Sequence, residues 1–501
     1  MNLLVLPILL PVLSAILCIF LNKSLNAQRI ISLVGLVTVF AFSCYLLIYC
    51  ESEGIQVLHV GGWEAPFGIV LVADLFSCIM LVVSNLIGLS VLVYSFKEVE
   101  LVEQRRFFYP LYLFLMLGVN GSFLTGDLFN LYVWFEVMLL SSFVLLALGG
   151  KTPQLEGGMK YVVLNLFSSI LFLSAVGILY GKLGTLNMAD IAYRLSLQEE
   201  FVLINSCAVL FLVAFGIKAA MFPFFFWLPA SYHTPSVSVS AVFAGLLTKV
   251  GVYALMRTFT LFFVQDISFT HNLLLILAAA TMVTGVLGAA VQFEMRKILS
   301  FHIISQIGYM IMGLALMTPL ALAGAIFYLI HHIIVKTNLF LISGIVIAKK
   351  GTDKLAKIGG LYTVAPILSL LFFIPAFSLG GIPPLSGFWA KFSVLKAGVQ
   401  SEAYWVVIIA VLVGLLTLFS MTKIWAEAFW KKSPDASNDL EVEKSDNKKF
   451  IVMVSPVVLL ALITLFIGFN AEPFVALAEK TAHQLIDPTS YINTVLKQGE
   501  R

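Results

Sequence analysis

The sequence predicts an all-α polytopic membrane protein with fourteen transmembrane helices. Of its 501 residues, 60% are hydrophobic and only 11% are charged, and the mean hydropathy is +1.01. A soluble chain of this length cannot bury so much apolar surface, because even a large domain leaves much of its area facing water. With a net charge of +3 and basic residues scattered between apolar blocks, nothing in the sequence indicates a nucleic-acid-binding surface.

Apolar runs of about 20 residues, which is the length that crosses a hydrocarbon core of roughly 30 Å, define the predicted spans. The first run, MNLLVLPILLPVL, lacks a basic start and a small-residue cleavage signature, so we expect a retained span rather than a signal peptide. The predicted spans are 2 to 21, 28 to 49, 70 to 95, 107 to 126, 128 to 149, 159 to 181, 203 to 228, 238 to 262, 271 to 293, 299 to 317, 320 to 348, 365 to 395, 403 to 428 and 450 to 469.

Glycine and proline interrupt two of these spans. The seventh contains Pro223 and is followed by Pro229, and the twelfth contains GGIPPLSGFWAK. As one straight helix the twelfth would be about 45 Å long, and prolines cannot sustain its hydrogen-bond ladder. Interrupted spans in corresponding places indicate inverted repeats with ion sites at the breaks. We therefore predict two inverted five-helix repeats, formed by spans four to eight and spans nine to thirteen, with helices seven and twelve broken.

These repeats divide the chain into five predicted parts. Helices one to three occupy 1–106, and the two repeats occupy 107–262 and 271–430. Helix fourteen occupies 450–470 and is followed by a tail at 471–501.

Lysine and arginine are concentrated in the loops after odd-numbered spans, which predicts that these loops are cytoplasmic. Both termini would then lie outside a bacterial plasma membrane. Arg257 is assigned to one of the outer loops. Five lysines fall inside predicted spans instead, and Lys423 among them lies close enough to the cytoplasmic boundary to snorkel to the headgroups. The five are Lys218, Lys249, Lys336, Lys391 and Lys423.

The other four lysines share the apolar interior with Glu136, His331 and His332. An isolated cation at the bilayer centre costs roughly 2.5–3.5 kcal/mol on insertion scales. Glu136 lies roughly 12 Å into its helix, so it needs a partner or a proton. Burial destabilises the charged forms of lysine and glutamate, a nearby opposite charge restores them, and histidine titrates near neutral pH.

These properties suit a proton relay. His332 and Lys336 are four residues apart, on one helix face, where they could exchange a proton directly or through one water. We predict an axis parallel to the membrane that runs from Glu136 and Lys218 through Lys249 to His332, Lys336 and Lys391. The alternative is a set of static ion pairs that hold the helices together.

Other polar residues suggest supporting roles. His233 and His302 lie near predicted boundaries, where they either admit protons to the relay or are solvated loop residues. Asp74 and Asp127 precede apolar runs, which favours helix capping. The five cysteines have no CxxC spacing and are interpreted as packing residues. We expect neither a metal site nor a cofactor.

Five stretches resemble a known family: TGDLFNLYVWFEVMLLSSF, GIKAAMFPFFFWLPASYHTPSVSVSAVFAGLLTKVGVY, RKILSFHIISQIGYM, HHIIVKTNLFLISG and GGIPPLSGFWAKF. The family comprises the proton-translocating antiporter-like membrane subunits of respiratory complex I, membrane-bound hydrogenases and Mrp-type cation/proton antiporters. The resemblance implies fourteen helices, inverted repeats and two broken helices. It also implies that Glu136, Lys218, Lys249 and Lys391 carry proton transfer, with His332 and Lys336 as linkers.

Within that family the chain is most similar to the D-type subunits of Mrp antiporters. The twelfth span carries Lys391 where M-type complex I subunits have glutamate, and the tail is too short for the lateral helix of L-type subunits. Gln306 departs from the histidine of some relatives, which makes a contribution of the tenth span to the relay doubtful. The resemblance implies a transporter subunit rather than an enzyme. Its partners would be subunits of the A, B, C, E, F and G types, together with membrane lipids, protons and Na⁺.

Since no cluster of carboxylates suggests a complete Na⁺ site, we expect Na⁺ to pass largely through a partner subunit.

The sequence leaves two alternative functions open. One is a proton-pumping subunit of a redox-driven complex. The other is a structural scaffold with inert ion pairs.

Overall fold

The computed structural model describes residues 2–198, 201–434 and 447–497, which form a predominantly helical bundle. Within these residues, 12 helices are long and apolar enough to cross a membrane. Two shorter apolar helices, Phe108–Leu124 and Pro366–Gly380, accompany them. The chain is therefore a polytopic helical membrane protein, as the composition predicts.

The first half of the chain contains twelve of the helices assigned here, and a π-helical turn at Phe243–Leu247 joins the last two of them. The helices are α1 (Leu6–Phe20), α2 (Leu25–Glu53), α3 (Leu75–Glu98), α4 (Leu101–Arg105), α5 (Phe108–Leu124), α6 (Leu128–Ala147), α7 (Thr152–Leu183), α8 (Met188–Ser196), α9 (Phe201–Ala219), α10 (Trp227–Ser231), α11 (Val237–Val242) and α12 (Thr248–Leu261).

The second half continues the bundle and ends in two amphipathic helices. Another π-helical turn, Trp425–Trp430, extends the helix that begins at Tyr404. The helices are α13 (Ile267–Ala290), α14 (Met295–Leu316), α15 (Pro319–Lys350), α16 (Leu361–Val364), α17 (Pro366–Gly380), α18 (Ser386–Gln400), α19 (Tyr404–Ile424), α20 (Asn447–Phe469), α21 (Ala471–Ile486) and α22 (Thr489–Leu496).

The prediction of a purely α-helical chain is wrong in one segment. Between α2 and α3 the chain forms an antiparallel hairpin of β1 (Gln56–His59) and β2 (Val70–Ala73). Each strand has only four residues, which is too short for alternation of polar and apolar residues to be recognised. The loop between the strands contains positive-φ glycines, Gly61 and Gly62, which adopt this backbone conformation without a steric penalty.

Both predicted interruptions lie where a helix ends. α9 stops at Ala219, and helix resumes only at α10. α17 stops at Gly380, and Gly381, with φ 89°, takes the left-handed conformation that commonly terminates a helix. α18 then begins at Ser386. The main-chain carbonyl groups at the end of α17 are therefore available to side chains.

Both ends of the described chain lie at the same end of the bundle. The N-terminal turn Asn2–Val5 contacts both strands, and α22 contacts β1 and α8. Lys497 pairs with Glu64 in the hairpin loop at 3.0 Å. We call this the hairpin end. The predicted tail consists of α21 and α22 lying across it, and its last four residues are outside the described part of the chain.

Candidate functional site

A string of three side chains joins α6, α7 and α9 in the first half of the bundle. The Lys218 ammonium donates a hydrogen bond to Ser169 Oγ at 3.2 Å, and the Ser169 hydroxyl donates to Glu136 Oε1. The Lys218 Nζ also lies 5.0 Å from the centroid of the Phe135 ring. Lys218 is 4% exposed, so water does not replace these contacts.

Ser169 lies between Glu136 and Lys218, which the sequence placed at the start of the predicted axis. The acid and the ammonium do not touch directly, because the Ser169 hydroxyl bridges them. A hydroxyl donates and accepts at once, so it can pass a proton between its two neighbours. Sequence reasoning missed Ser169, because one serine on an apolar helix is ordinary. The only signal was its position about one helix turn from Asn165 on the polar side of α7.

Lys249 follows the π-helical turn that leads into α12. Its Nζ donates to the carbonyl oxygen of Ala244 within that turn, and the residue is fully buried. The ammonium has no carboxylate partner among the described residues. π-helical turns often occur at functional sites, since they shift side chains out of the regular helical register.

α15 carries the histidines and the lysine of the predicted relay, all buried. Lys336 Nζ donates to Leu299 O on α14 at 3.1 Å. Both ring nitrogens of His332 lack a hydrogen-bond partner within the described chain. The predicted direct exchange between His332 and Lys336 is therefore absent from this arrangement. His332 does lie within electrostatic reach of Lys249 and Lys336.

His331 contacts a different helix from its neighbour. Its Nδ1 lies 2.9 Å from Ser386 Oγ, and Ser386 Oγ lies 3.1 Å from Ser378 Oγ. These serines lie on either side of the break between α17 and α18. His331 is thereby tied to the broken helix rather than to Lys336.

Lys391 lies on α18 and reaches back across the break. Its Nζ donates to Leu379 O at 2.9 Å and to Gly380 O at 3.1 Å. The ammonium also lies 5.3 Å from the centroid of the Tyr309 ring. The carbonyl end of a helix carries partial negative charge, so this end of α17 stabilises a cation without any carboxylate.

Gln306 links three helices beside Lys391. Tyr328 donates to Gln306 Oε1 at 2.5 Å, and Gln306 Nε2 lies 3.4 Å from Thr417 Oγ1. The ring of Tyr328 stacks on that of Tyr309 at 5.4 Å. The tenth predicted span thus contributes hydrogen bonds near Lys391 despite lacking the histidine of some relatives.

The two histidines proposed as places of proton access differ in environment. His302 is fully buried in α14 and has no hydrogen-bond partner in the described chain, so its interpretation as a solvated residue is wrong. His233 lies between α10 and α11, half-buried, with Nδ1 2.8 Å from Pro229 O. Burial lowers the pKa of His233, and the charges of Lys297 and Arg296 lower it further.

Two basic residues near predicted span ends make contacts that the sequence did not indicate. The snorkelling of Lys423 stays a prediction, and its Nζ donates to Ala290 O at 2.9 Å and Gln292 O at 2.6 Å at the end of α13. Arg257 is not in a loop. It lies buried on α12 and forms a two-point ion pair with Asp74, at 2.6 and 2.8 Å. The sequence placed Arg257 in a loop because a charged residue near the end of an apolar run is typical of a span boundary.

The predicted helix caps are confirmed. Asp74 accepts from Ser77 N at 2.9 Å at the start of α3, and Asp127 accepts from Asn130 N at 2.7 Å at the start of α6. Four of the five cysteines are buried, which fits packing roles, and Cys78 Sγ lies 3.5 Å from Cys50 Sγ.

Comparison with known proteins places this arrangement in a family. A family model described as NADH:quinone oxidoreductase/Mrp antiporter, TM, matches residues 125–417. The D-type subunit of the Na(+)/H(+) antiporter of Alkalihalophilus pseudofirmus is 49% identical over 497 residues, which is 99% of this chain and 100% of that protein. The chain belongs to the family of D-type Na⁺/H⁺ antiporter subunits. The resemblance seen in the motifs is thereby confirmed.

Solved structures show that this family fold covers the whole chain. A chain in the Mrp complex from Dietzia sp. matches it with a TM-score of 0.91 and 32% identity, covering 99% of each chain. A chain in the membrane-bound sulfane sulfur reductase, an archaeal respiratory membrane complex, matches with a TM-score of 0.90 and 25% identity, covering 99% of this chain and 100% of that one. One fold therefore occurs in both an antiporter and a respiratory complex.

Proposed function

We propose that this chain is the proton-translocating subunit of a multisubunit antiporter that exchanges Na⁺, or another monovalent cation, for protons. Its partners are subunits of the A, B, C, E, F and G types in a bacterial plasma membrane. The 49% identity over the full length of a D-type subunit supports this, as does the match to a chain of an Mrp complex. The chain acts as a secondary transporter subunit and not as an enzyme.

The string from Lys218 through Ser169 to Glu136 is the observation that carries the proposal. It joins a buried base to an acid through a hydroxyl, in an otherwise apolar region. When Glu136 is ionised, it favours the protonated ammonium. When Glu136 takes a proton, that support is lost and Lys218 passes its own proton on.

The next steps run toward the second half of the chain. Because Gly251 has no side chain, α12 packs directly against the main chain of α9 at Lys218 and Ala219. Lys249 therefore lies on the helix next to the one that carries Lys218. Lys249 in turn acts electrostatically on His332 and Lys336. No hydrogen bond between described side chains joins Lys218 to Lys249, so we propose that water carries the proton across this gap.

The remaining steps lead to the second broken helix. His302 and His331 both lie within electrostatic reach of Lys336 and Lys391. The proposed axis therefore ends at Lys391, where the break in the twelfth span provides the acceptor carbonyls.

The proposal includes the transmembrane arrangement. The two shorter apolar helices, α5 and α17, would cross together with the 12 longer ones, so that the chain crosses fourteen times. The parts 107–262 and 271–430 would be inverted repeats, and 1–106, 450–470 and the tail 471–501 would lie outside them. The excess of basic residues at the opposite end would place the hairpin end, with both termini, outside the cell.

Na⁺-driven pH change in vesicles that contain the whole complex tests the proposal. Glu136→Gln removes the acid but keeps its shape, and we expect loss of exchange. Glu156→Gln on α7 is the matched control, because Glu156 is exposed and, within the described residues, pairs with Lys160 at 2.7 Å; this variant should exchange like wild type. Wild-type exchange by Glu136→Gln at equal assembly would overturn the relay.

Two alternatives predict other results. A redox-driven pump would purify with flavin or iron–sulfur proteins, so absorbance of such a centre in the intact complex would support it. A scaffold with inert ion pairs would lose stability but keep exchange in Glu136→Gln. The full-length identity with a D-type antiporter subunit favours the antiporter over the redox pump.

The Na⁺ path is assigned largely to a partner subunit. Among the described residues, no group of three His, Cys, Asp or Glu side chains converges as a metal site would. An ordered Na⁺ coordinated wholly by this chain, seen in a structure of the complex, would contradict this assignment.

A further inference from the structure

A row of polar side chains runs along α12 from Lys249 to the hairpin end. Lys249, Tyr253 and Arg257 are spaced four residues apart, so they lie on one helix face and span about 12 Å. Arg257 Nη2 donates to Tyr253 Oη at 3.1 Å, and Tyr253 donates to Phe123 O at 2.8 Å. The row leads from the middle of the proposed relay toward one surface.

The Asp74–Arg257 ion pair closes the outer end of this row. Asp74 and Arg257 are only 1% and 6% exposed. A guanidinium keeps its proton and Asp74 balances its charge, so the pair is a buried, nearly neutral unit between the hairpin end and Lys249. While the pair stays closed, it fills the outer end of the row, so water and protons reach Lys249 from that side only when the pair separates.

The C-terminal helices cover the ion pair. The guanidinium carbon of Arg257 lies 5.4 Å from the centroid of the Tyr491 ring of α22. On α21, Gln484 Oε1 accepts from Leu75 N at 3.1 Å, directly beside Asp74. Ala478, Ala482 and Leu485 on α21 are buried as this helix packs against α15, α12 and α3. The tail thus packs on its own chain and excludes water from Arg257.

We propose that α21 and α22 form a lid over the hairpin-side exit of the proton path, with Tyr491 as the side chain that excludes water and Asp74–Arg257 as the closing ion pair. This inference rests on the proposed function, since it takes Lys249 to lie on the proton path. The exit would open when the pair separates under the lid, and the row through Tyr253 would then connect Lys249 to the outside.

Passive proton leak tests the lid without requiring Na⁺ transport. Vesicles with the whole complex receive an imposed pH gradient in the absence of Na⁺. Tyr491→Ala leaves a space that admits water, so we expect a several-fold faster collapse of the gradient. Tyr491→Phe keeps the ring over Arg257 and should match wild type. Tyr491→Leu keeps apolar cover and should leak by a smaller factor, which provides a measurement if the alanine variant does not assemble.

A double variant separates a leak along the path from general loosening. Tyr491→Ala combined with Lys249→Met should restore the wild-type rate, because the path is interrupted beneath the lid. An unchanged rate in both Tyr491→Ala and Tyr491→Leu would overturn the lid, and so would a leak that persists in the double variant. If Lys249→Met alone retains Na⁺-driven exchange, the proposed relay fails instead, so the two failures are distinguishable.

Discussion

The two broken helices hold their lysines in opposite ways. Lys218 lies at the end of α9, before its break, and reaches a carboxylate through a serine hydroxyl. Lys391 lies after its break, on α18, and binds two main-chain carbonyls of α17. The first cation is stabilised by the Glu136 carboxylate through Ser169, whereas the second is stabilised by the carbonyl groups at a helix end. A membrane protein can thus stabilise a buried lysine with or without a carboxylate.

Crowding at the second break leads to the largest expected effect. A methyl group on Gly387 would meet Ser378 O and the His331 ring, so Gly387→Ala should destabilise the protein by about 1–3 kcal/mol or more. Near the first break, a methyl group on Gly251 would meet the main chain at Ala219 less closely. Thermal unfolding of the purified complex measures the change, with Gly177→Ala on α7 as control, since nothing lies near that position. Equal stability of the two variants would show that the second break accommodates the added methyl group without loss of stability.

Arginine substitution tests whether both lysines must release a proton. Arginine stays charged, so Lys218→Arg and Lys391→Arg should both lower the exchange rate by about a hundredfold, the size of a typical acid–base contribution. Na⁺-driven pH change in vesicles measures this. If Lys391→Arg alone retains exchange, Lys391 acts as a fixed positive charge. Lys218 would then transfer protons, whereas Lys391 would not.

The serine bridge predicts an intermediate effect confined to the first site. Ser169→Ala removes hydrogen bonds with a net contribution of about 1 kcal/mol, so exchange should slow by roughly fivefold. Its neighbour Ser168 is the control, because that hydroxyl donates only to Ala214 O, at 2.7 Å. Equal rates for Ser168→Ala and Ser169→Ala would mean that Glu136 and Lys218 communicate by another route.

The smallest effect is expected at the serines of the second break. Ser386→Ala removes the contact of His331 but leaves the carbonyls that bind Lys391, so exchange should fall by about twofold. Ser393→Ala on the same helix is the control, since its hydroxyl donates to Trp389 O, at 2.9 Å. A loss as large as that of Lys391→Arg would place His331 directly on the path.

Sequence predicted the apolar helices well, because they depend on strong, local signals. The run that forms α13 is long and apolar enough to cross a membrane, and a lysine such as Lys218 within an apolar run indicates a nearby partner. The positions of Pro223 and Gly381 likewise mark helix ends through backbone chemistry alone.

Sequence could not predict which side chains meet. Ser169 and Gln306 are ordinary residues until the helices pack, and the bond from Lys391 to Leu379 O depends on the backbone path at the break. The pairing of Asp74 with Arg257 joins residues 183 positions apart. Such contacts follow from tertiary packing, for which periodicity carries no signal.

The measurement that tests the account most directly is Na⁺-driven pH change in vesicles with the complete complex, comparing Lys218→Met with Lys391→Met at verified equal assembly. If one proton path runs through both sites in series, each variant alone abolishes exchange. Wild-type exchange by either variant would contradict a single path through the two broken helices.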